Sequence, residues 1–259
     1  MTSPSKMLRQ AFDLFKKNWK KLIYLAGFGY LINSVFGSLI SNNDSLMPPI
    51  AAILLSLFLS ATIMSSYAFA ASRVAIGEAA PDLQPAVYGG LVKLPAVVGL
   101  FFLMLIFCLP YIWVMGVLFF SVYAVGGGIL GFGLAALGIV AVILSIVYFQ
   151  IRLSQVLSAI YIDNLGPINA VKRSWTLTKN KFWLVFSYYA LPIILIIAYG
   201  LMALSISRFG FYEGLIFVLI SVLLVPVVMF VVQIYGFLLF ESLRRKPLTV
   251  EPAAHEEGK

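Results

Sequence analysis

Apolar residues run along this chain in long blocks, with the polar residues gathered between them. Six blocks approach or exceed the roughly 20 residues that a helix needs to cross a bilayer. They are Leu22–Ile40, Ile50–Ser72, Leu94–Val125, Ile129–Ile151, Phe182–Ser207 and Gly214–Phe240. The third is over-long, so a tilt or a bend at Pro110 is expected. The fourth could continue as helix past Arg152 toward Ile162. Ser41–Pro49, Gly126–Gly128 and Arg208–Glu213 are short and rich in turn residues, so they read as the turns of three tight hairpins.

The segments between hairpins carry helical periodicity of their own. Met7, Leu8, Ala11, Phe12, Phe15 and Trp19 recur on one side, while Lys6, Arg9, Asp13, Lys16, Lys17 and Lys20 fall mainly on the other. Ser3 before Pro4 is a helix-start signal. After Pro167, Ile168, Val171, Trp175, Thr178 and Phe182 face away from Lys172, Arg173, Thr176 and Lys179. A weaker instance follows Pro81 through Leu83, Val87 and Leu91, interrupted by Pro85 and Gly89-Gly90. Basic, aromatic helices of this kind suit the headgroup zone of a bilayer. The order of surface helix, span out and span back therefore occurs three times. It predicts one transmembrane domain over 1–246, in units of about 3–76, 81–162 and 167–246. The polar tail 247–259 is expected to be disordered.

Charge then fixes an orientation. With the N-terminus inside, the inner segments hold every Lys and Arg except Arg208. That is close to a complete positive-inside bias, and it predicts a multi-pass cell-membrane protein with both termini cytoplasmic. Composition agrees: 62% of residues are hydrophobic and 11% charged, against roughly 25% charged in soluble domains. The net charge of +8 is thus read as attraction to a membrane surface, not to nucleic acid. Leu22–Ile40 is long for a signal-peptide core and no small-residue cleavage site follows it, so it is expected to be retained.

Little in the sequence points to catalysis. The spans hold no ionisable Asp, Glu, Lys, Arg or His between their flanks, which argues against a proton relay or a charge-lined channel. The lone Cys108 and lone His255 make no metal set. No cofactor, metal or catalytic residue is expected. Gly29, Asn33 and Gly37, then Ala52, Ser56 and Ser60, then Gly127, Gly131 and Ala135, lie four apart. They read as helix-packing stripes, with a substrate groove as the alternative. Pro110, Pro192 and Pro226 read as kinks, with a broken-helix site as the alternative.

The candidate binding residues are basic. Lys16, Lys17, Lys20, Lys21, Arg73, Arg152, Lys172, Arg173 and Arg244 form the set expected to meet lipid headgroups or a partner protein, with Trp19, Trp175 and Trp183 as interfacial anchors. Arg152 stands out among polar neighbours Gln150, Ser154 and Gln155. For Arg73, Arg152 and Arg244 the plain alternative is flank anchoring with ion pairs to Glu78, Asp163 and Glu241.

The stretch Arg152–Trp183, RLSQVLSAIYIDNLGPINAVKRSWTLTKNKFW, resembles the signature of a family of six-helix bacterial and archaeal membrane proteins. The resemblance is carried by Arg152, Asp163, Gly166, Ala170, Lys172, Arg173, Ser174, Trp175, Asn180, Phe182 and Trp183. The N-terminal AFDLFKKNWKKL also fits. In some members the module is the membrane domain of a glycerophosphoryl diester phosphodiesterase, and many others stand alone. The resemblance implies a fold and not an activity, because the activity belongs to a separate soluble domain that is not expected here. The leading expectation is a non-catalytic membrane protein that engages anionic lipid or a partner through its basic inner face. An exporter of a small hydrophobic or amphipathic compound and a lipid-modifying enzyme are the alternatives.

Overall fold

The computed structural model describes residues 3–42, 49–124, 129–190, 194 and 215–244. Among them every regular element is helical: α1 (Pro4–Asn42), α2 (Pro49–Ala75), α3 (Leu83–Ala124), α4 (Ile129–Leu153), α5 (Val156–Tyr161), α6 (Pro167–Thr178), α7 (residues 182–190) and α8 (Leu215–Arg244). Four stretches are long and apolar enough to cross a membrane: Ala51–Ala75, Leu83–Val114, Ala136–Tyr161 and Pro226–Arg244. This is an all-helical membrane protein. The expected first span lies within α1 and is not among these four. Most of the expected fifth span, with Pro192, the three hairpin turns in large part and the tail 247–259, lies outside the described residues.

The surface helices and spans are not always separate elements. The basic segment at the N-terminus and the block after it form one unbroken helix, α1, of 39 residues. At 1.5 Å per residue it is about 58 Å long, against a hydrocarbon core of about 30 Å. Ser3 starts it: its carbonyl accepts from Met7 N–H at 3.0 Å, ahead of Pro4. The weak periodic stretch after Pro81 likewise runs into its span as α3, through Pro95 and Pro110. Only in the third unit does the chain break. Thr178 Oγ1 donates back to Ser174 C=O at 2.9 Å, and Lys179–Lys181 separates α6 from α7. Nor does the fourth block continue straight to Ile162. It stops at Leu153 and restarts at Val156.

Packing is concentrated at one end of the bundle. The core joins Met7, Ala11, Phe15 and Leu22 of α1 to Ala70, Ala71 and Val74 of α2 and Ala86 of α3. It continues through Ile151, Ala159 and Ile160 to Ala170 of α6, Val185 of α7, and Phe230, Tyr235, Phe240 and Leu243 of α8. Residues farther along the spans, such as Phe102, Ile112 and Trp113 of α3 and Leu137 and Leu144 of α4, are exposed. The tight end is the end that carries the basic residues. Part of the apolar face expected to meet lipid is turned into the protein itself, with Met7 2% exposed and Ala11 0%, while Phe12 and Trp19 stay exposed. Apolar surface there has been removed from water by packing.

Close approach between helices uses glycine where a side chain would collide. A Cβ on Gly90 of α3 would stand 2.6 Å from the Ser66 backbone nitrogen of α2. A Cβ on Gly29 of α1 would run into the Tyr67 hydroxyl, which donates to Ala26 C=O at 3.1 Å. Gly37, on the same expected stripe, meets nothing. The turn that closes α2 holds Gly77, whose φ of 91° is left-handed. Glu78 N–H returns to Arg73 C=O and Gly77 N–H to Val74 C=O, so the last carbonyls are satisfied.

Candidate functional site

The expected basic residues are brought to one end, but they divide there into three kinds. Arg73, Arg173, Arg244 and Lys21 are in ion pairs. Lys21 meets Asp82 at 2.8 Å, with both side chains largely in solvent, and Arg73 meets Glu78 at 3.2 Å. Exposed pairs of this kind contribute about 0–1 kcal/mol. The third cluster is better enclosed. Asp163, its side chain 12% exposed, takes Arg173 Nε on one oxygen at 3.3 Å and Arg244 Nη1 on the other at 3.2 Å. Arg244 also holds Glu241 at 3.2 Å. One carboxylate thus links the segment after α5 to α6 and to the end of α8. The chain leaves it through Asn164, whose φ of 58° is left-handed. Asparagine tolerates that conformation better than most residues.

Arg152 is of the second kind. It is 8% exposed, and no carboxylate lies within ion-pair distance among the described residues. Its guanidinium carbon lies 5.1 Å from the Tyr148 ring, 5.2 Å from Trp175 and 5.8 Å from Phe182. Nε donates to the Tyr148 hydroxyl at 3.1 Å, while Nη1 is enclosed without a partner. A planar, weakly hydrated cation can rest against aromatic faces in a way that an ammonium cannot. The Tyr148 and Phe182 rings stack at 5.3 Å, and Trp175 meets Tyr148 edge-on. Trp175 is therefore a wall of this box, whereas Trp19 and Trp183 are exposed.

The box sits beside the break between α4 and α5, and the break is supplied with hydrogen bonds from other helices. Ser174 Oγ of α6 donates to Arg152 C=O at 2.6 Å and accepts from Gln155 N–H at 3.2 Å. Tyr189 of α7 donates to Ser154 C=O at 3.2 Å and accepts from Gln155 Nε2 at 3.1 Å. Buried backbone groups freed by a broken helix need such partners, most of all in lipid. Farther on, Tyr161 is 2.6 Å from Ser65, whose hydroxyl lies 2.7 Å from Gly90 C=O. Nothing in the sequence pattern marks Ser174, Tyr189 or Ser65 for these roles. Neither hydroxyls in apolar helices nor a helix break without Gly or Pro has a periodic signature.

Lys16, Lys17, Lys20 and Lys172 are of the third kind: exposed, and in no ion pair among the described residues. Of the described carboxylates, Glu78, Asp82, Asp163 and Glu241 are held by other cations, while Asp13, one turn before Lys16 and Lys17 on α1, is in no ion pair with them. Among the described residues no group of His, Cys, Asp and Glu could hold a metal. No family model, curated protein or solved structure matches the chain.

Proposed function

We propose that this protein is a six-span membrane module with both termini cytoplasmic, whose basic inner end engages anionic lipid headgroups without catalysing a reaction. The observation that carries this reading is the state of the lysines just described. Lys16, Lys17, Lys20 and Lys172 stand exposed at the packed end and in no ion pair among the described residues, where Asp13 is the one carboxylate not held by another cation. A cation at an anionic leaflet gains about 1 kcal/mol. Arg73, Arg173 and Arg244 act in this reading as braces, and Arg152 as the pin of an aromatic box. The likeness to the membrane domain of phosphodiesterase-linked proteins supplies the expected six-helix frame.

The exporter alternative draws no support from the hollow between the first three helices. Among the described residues the cavity between α1, α2 and α3, lined by Leu25, Gly29, Ile63, Tyr67 and Val87, holds about 50 Å³. Ligand pockets run to about 300–1,000 Å³. The test is thermal unfolding in nanodiscs of zwitterionic lipid and of a mixture with anionic lipid. The wild-type chain should unfold at a higher temperature in the anionic mixture. Changing Lys16, Lys17, Lys20 and Lys172 together to Gln should remove most of that difference. A quadruple variant with the full difference would overturn the reading.

A further inference from the structure

A groove of about 400 Å³ lies between α1 and α8, lined by Phe12, Phe15, Lys16, Trp19, Ile23 and Val227. We propose that it holds one acyl chain of an anionic phospholipid, with the Lys16 ammonium against the phosphate. This rests on the reading that the basic end lies at the anionic leaflet.

The composition of the walls selects the occupant. Phe12, Phe15, Trp19 and Ile23 follow one another at helical spacing, so α1 presents a continuous apolar strip. Lys16 is set into that strip, and Lys20 follows one turn on. Phe12 is 51% exposed and Trp19 48%, although Phe15 between them is buried. A half-open aromatic strip beside an unpaired cation is poorly served by water and well served by a chain with a charged head. The groove also has a direction. From Phe12 to Trp19 it runs beside the charged stretch that ends at Lys21, and beyond Ile23 α1 carries no further charge. A phospholipid has the same polarity along its length. The volume falls within the range of ordinary ligand pockets.

A second hollow provides a contrast. It lies along α3 at Ile106, Leu109, Pro110, Ile112 and Trp113, and is larger at about 640 Å³. Among the described residues one helix alone lines it and no cation borders it, so it reads as lipid-facing surface beside a proline. Size does not distinguish the two places, but the cation and the second wall do.

The experiment is native mass spectrometry of the full chain released from nanodiscs of equal phosphatidylglycerol and phosphatidylcholine. The wild type should keep one phospholipid, with phosphatidylglycerol preferred. Lys16→Gln should lower that preference about fivefold, one lysine's contribution at an anionic leaflet. Val227→Trp fills the groove and should abolish retention, whereas Ile112→Trp in the α3 hollow should leave it unchanged. Should Val227→Trp not fold, Phe12→Ala removes an exposed wall and should lower retention severalfold. Retention unchanged in the variants of the groove, or a dimer in place of a lipid adduct, overturns the proposal. Loss of retention in those variants without any anionic-lipid effect on thermal stability would leave the groove standing and remove the surface reading.

Discussion

The Asp163 carboxylate holds the Arg244 guanidinium at 3.2 Å, tying the short segment after α5 to the last residue of α8. Its other oxygen holds Arg173 of α6. Asp163→Asn removes the charge from a site that is 12% exposed, takes the ion pair from Arg173 and leaves Arg244 with Glu241 alone. The arginines are themselves partly in solvent, so the loss should be moderate, about 1–3 kcal/mol. Chemical unfolding in detergent should record it, and Asp82→Asn, at a largely exposed pair, should cost under about 1 kcal/mol.

Ser174 should matter more than its neighbour on the opposite face. Ser174→Ala leaves Gln155 N–H and Arg152 C=O without the hydroxyl that bridges them. An unsatisfied buried group costs about 1–3 kcal/mol. Thr176 is exposed and donates only within its own helix, so Thr176→Ala should be nearly neutral. Equal losses for the two variants would contradict the bridging role.

Glycine positions offer a sharp comparison. Gly90→Ala places a methyl group against the Ser66 backbone of α2, which cannot swing aside as a side chain can. Overpacking of this kind costs about 1–3 kcal/mol. Gly37→Ala and Gly133→Ala meet nothing within 4 Å and should be neutral or slightly stabilising by unfolding midpoint.

Arg152→Lys keeps the charge and loses the plane. In the box of Tyr148, Trp175 and Phe182 the lysine should be destabilising by about 1–2 kcal/mol. Trp175 emission should shift as its cation is withdrawn. A neutral result would mean that charge alone suffices there.

Much of the architecture could be read from pattern. Long uncharged blocks announce membrane helices, and Ser3-Pro4 and Gly166-Pro167 announce the starts of α1 and α6. The one-sided charge distribution points to the end where the basic residues gather. Other features could not be read. That α1 is one helix agrees with the absence of any Gly or Pro from Ser5 to Ala26, a weak signal beside the change in polarity at Lys21–Leu22. The fate of each arginine depends on partners distant in sequence: Arg244 meets Asp163, and Arg152 meets Trp175 and Phe182. Spacing along one chain does not encode such pairings. The Met7–Phe15 face shows the same limit, because an apolar stripe looks alike whether lipid or protein covers it.

The account depends most on the packed basic end facing the cytoplasm. Thr176 is exposed on α6 beside Lys172, so Thr176→Cys, in a chain with Cys108 replaced, places a thiol there. A membrane-impermeant maleimide should label it in inverted membrane vesicles and not in intact cells. Labelling of intact cells would put the lysines on the outer face and contradict the account.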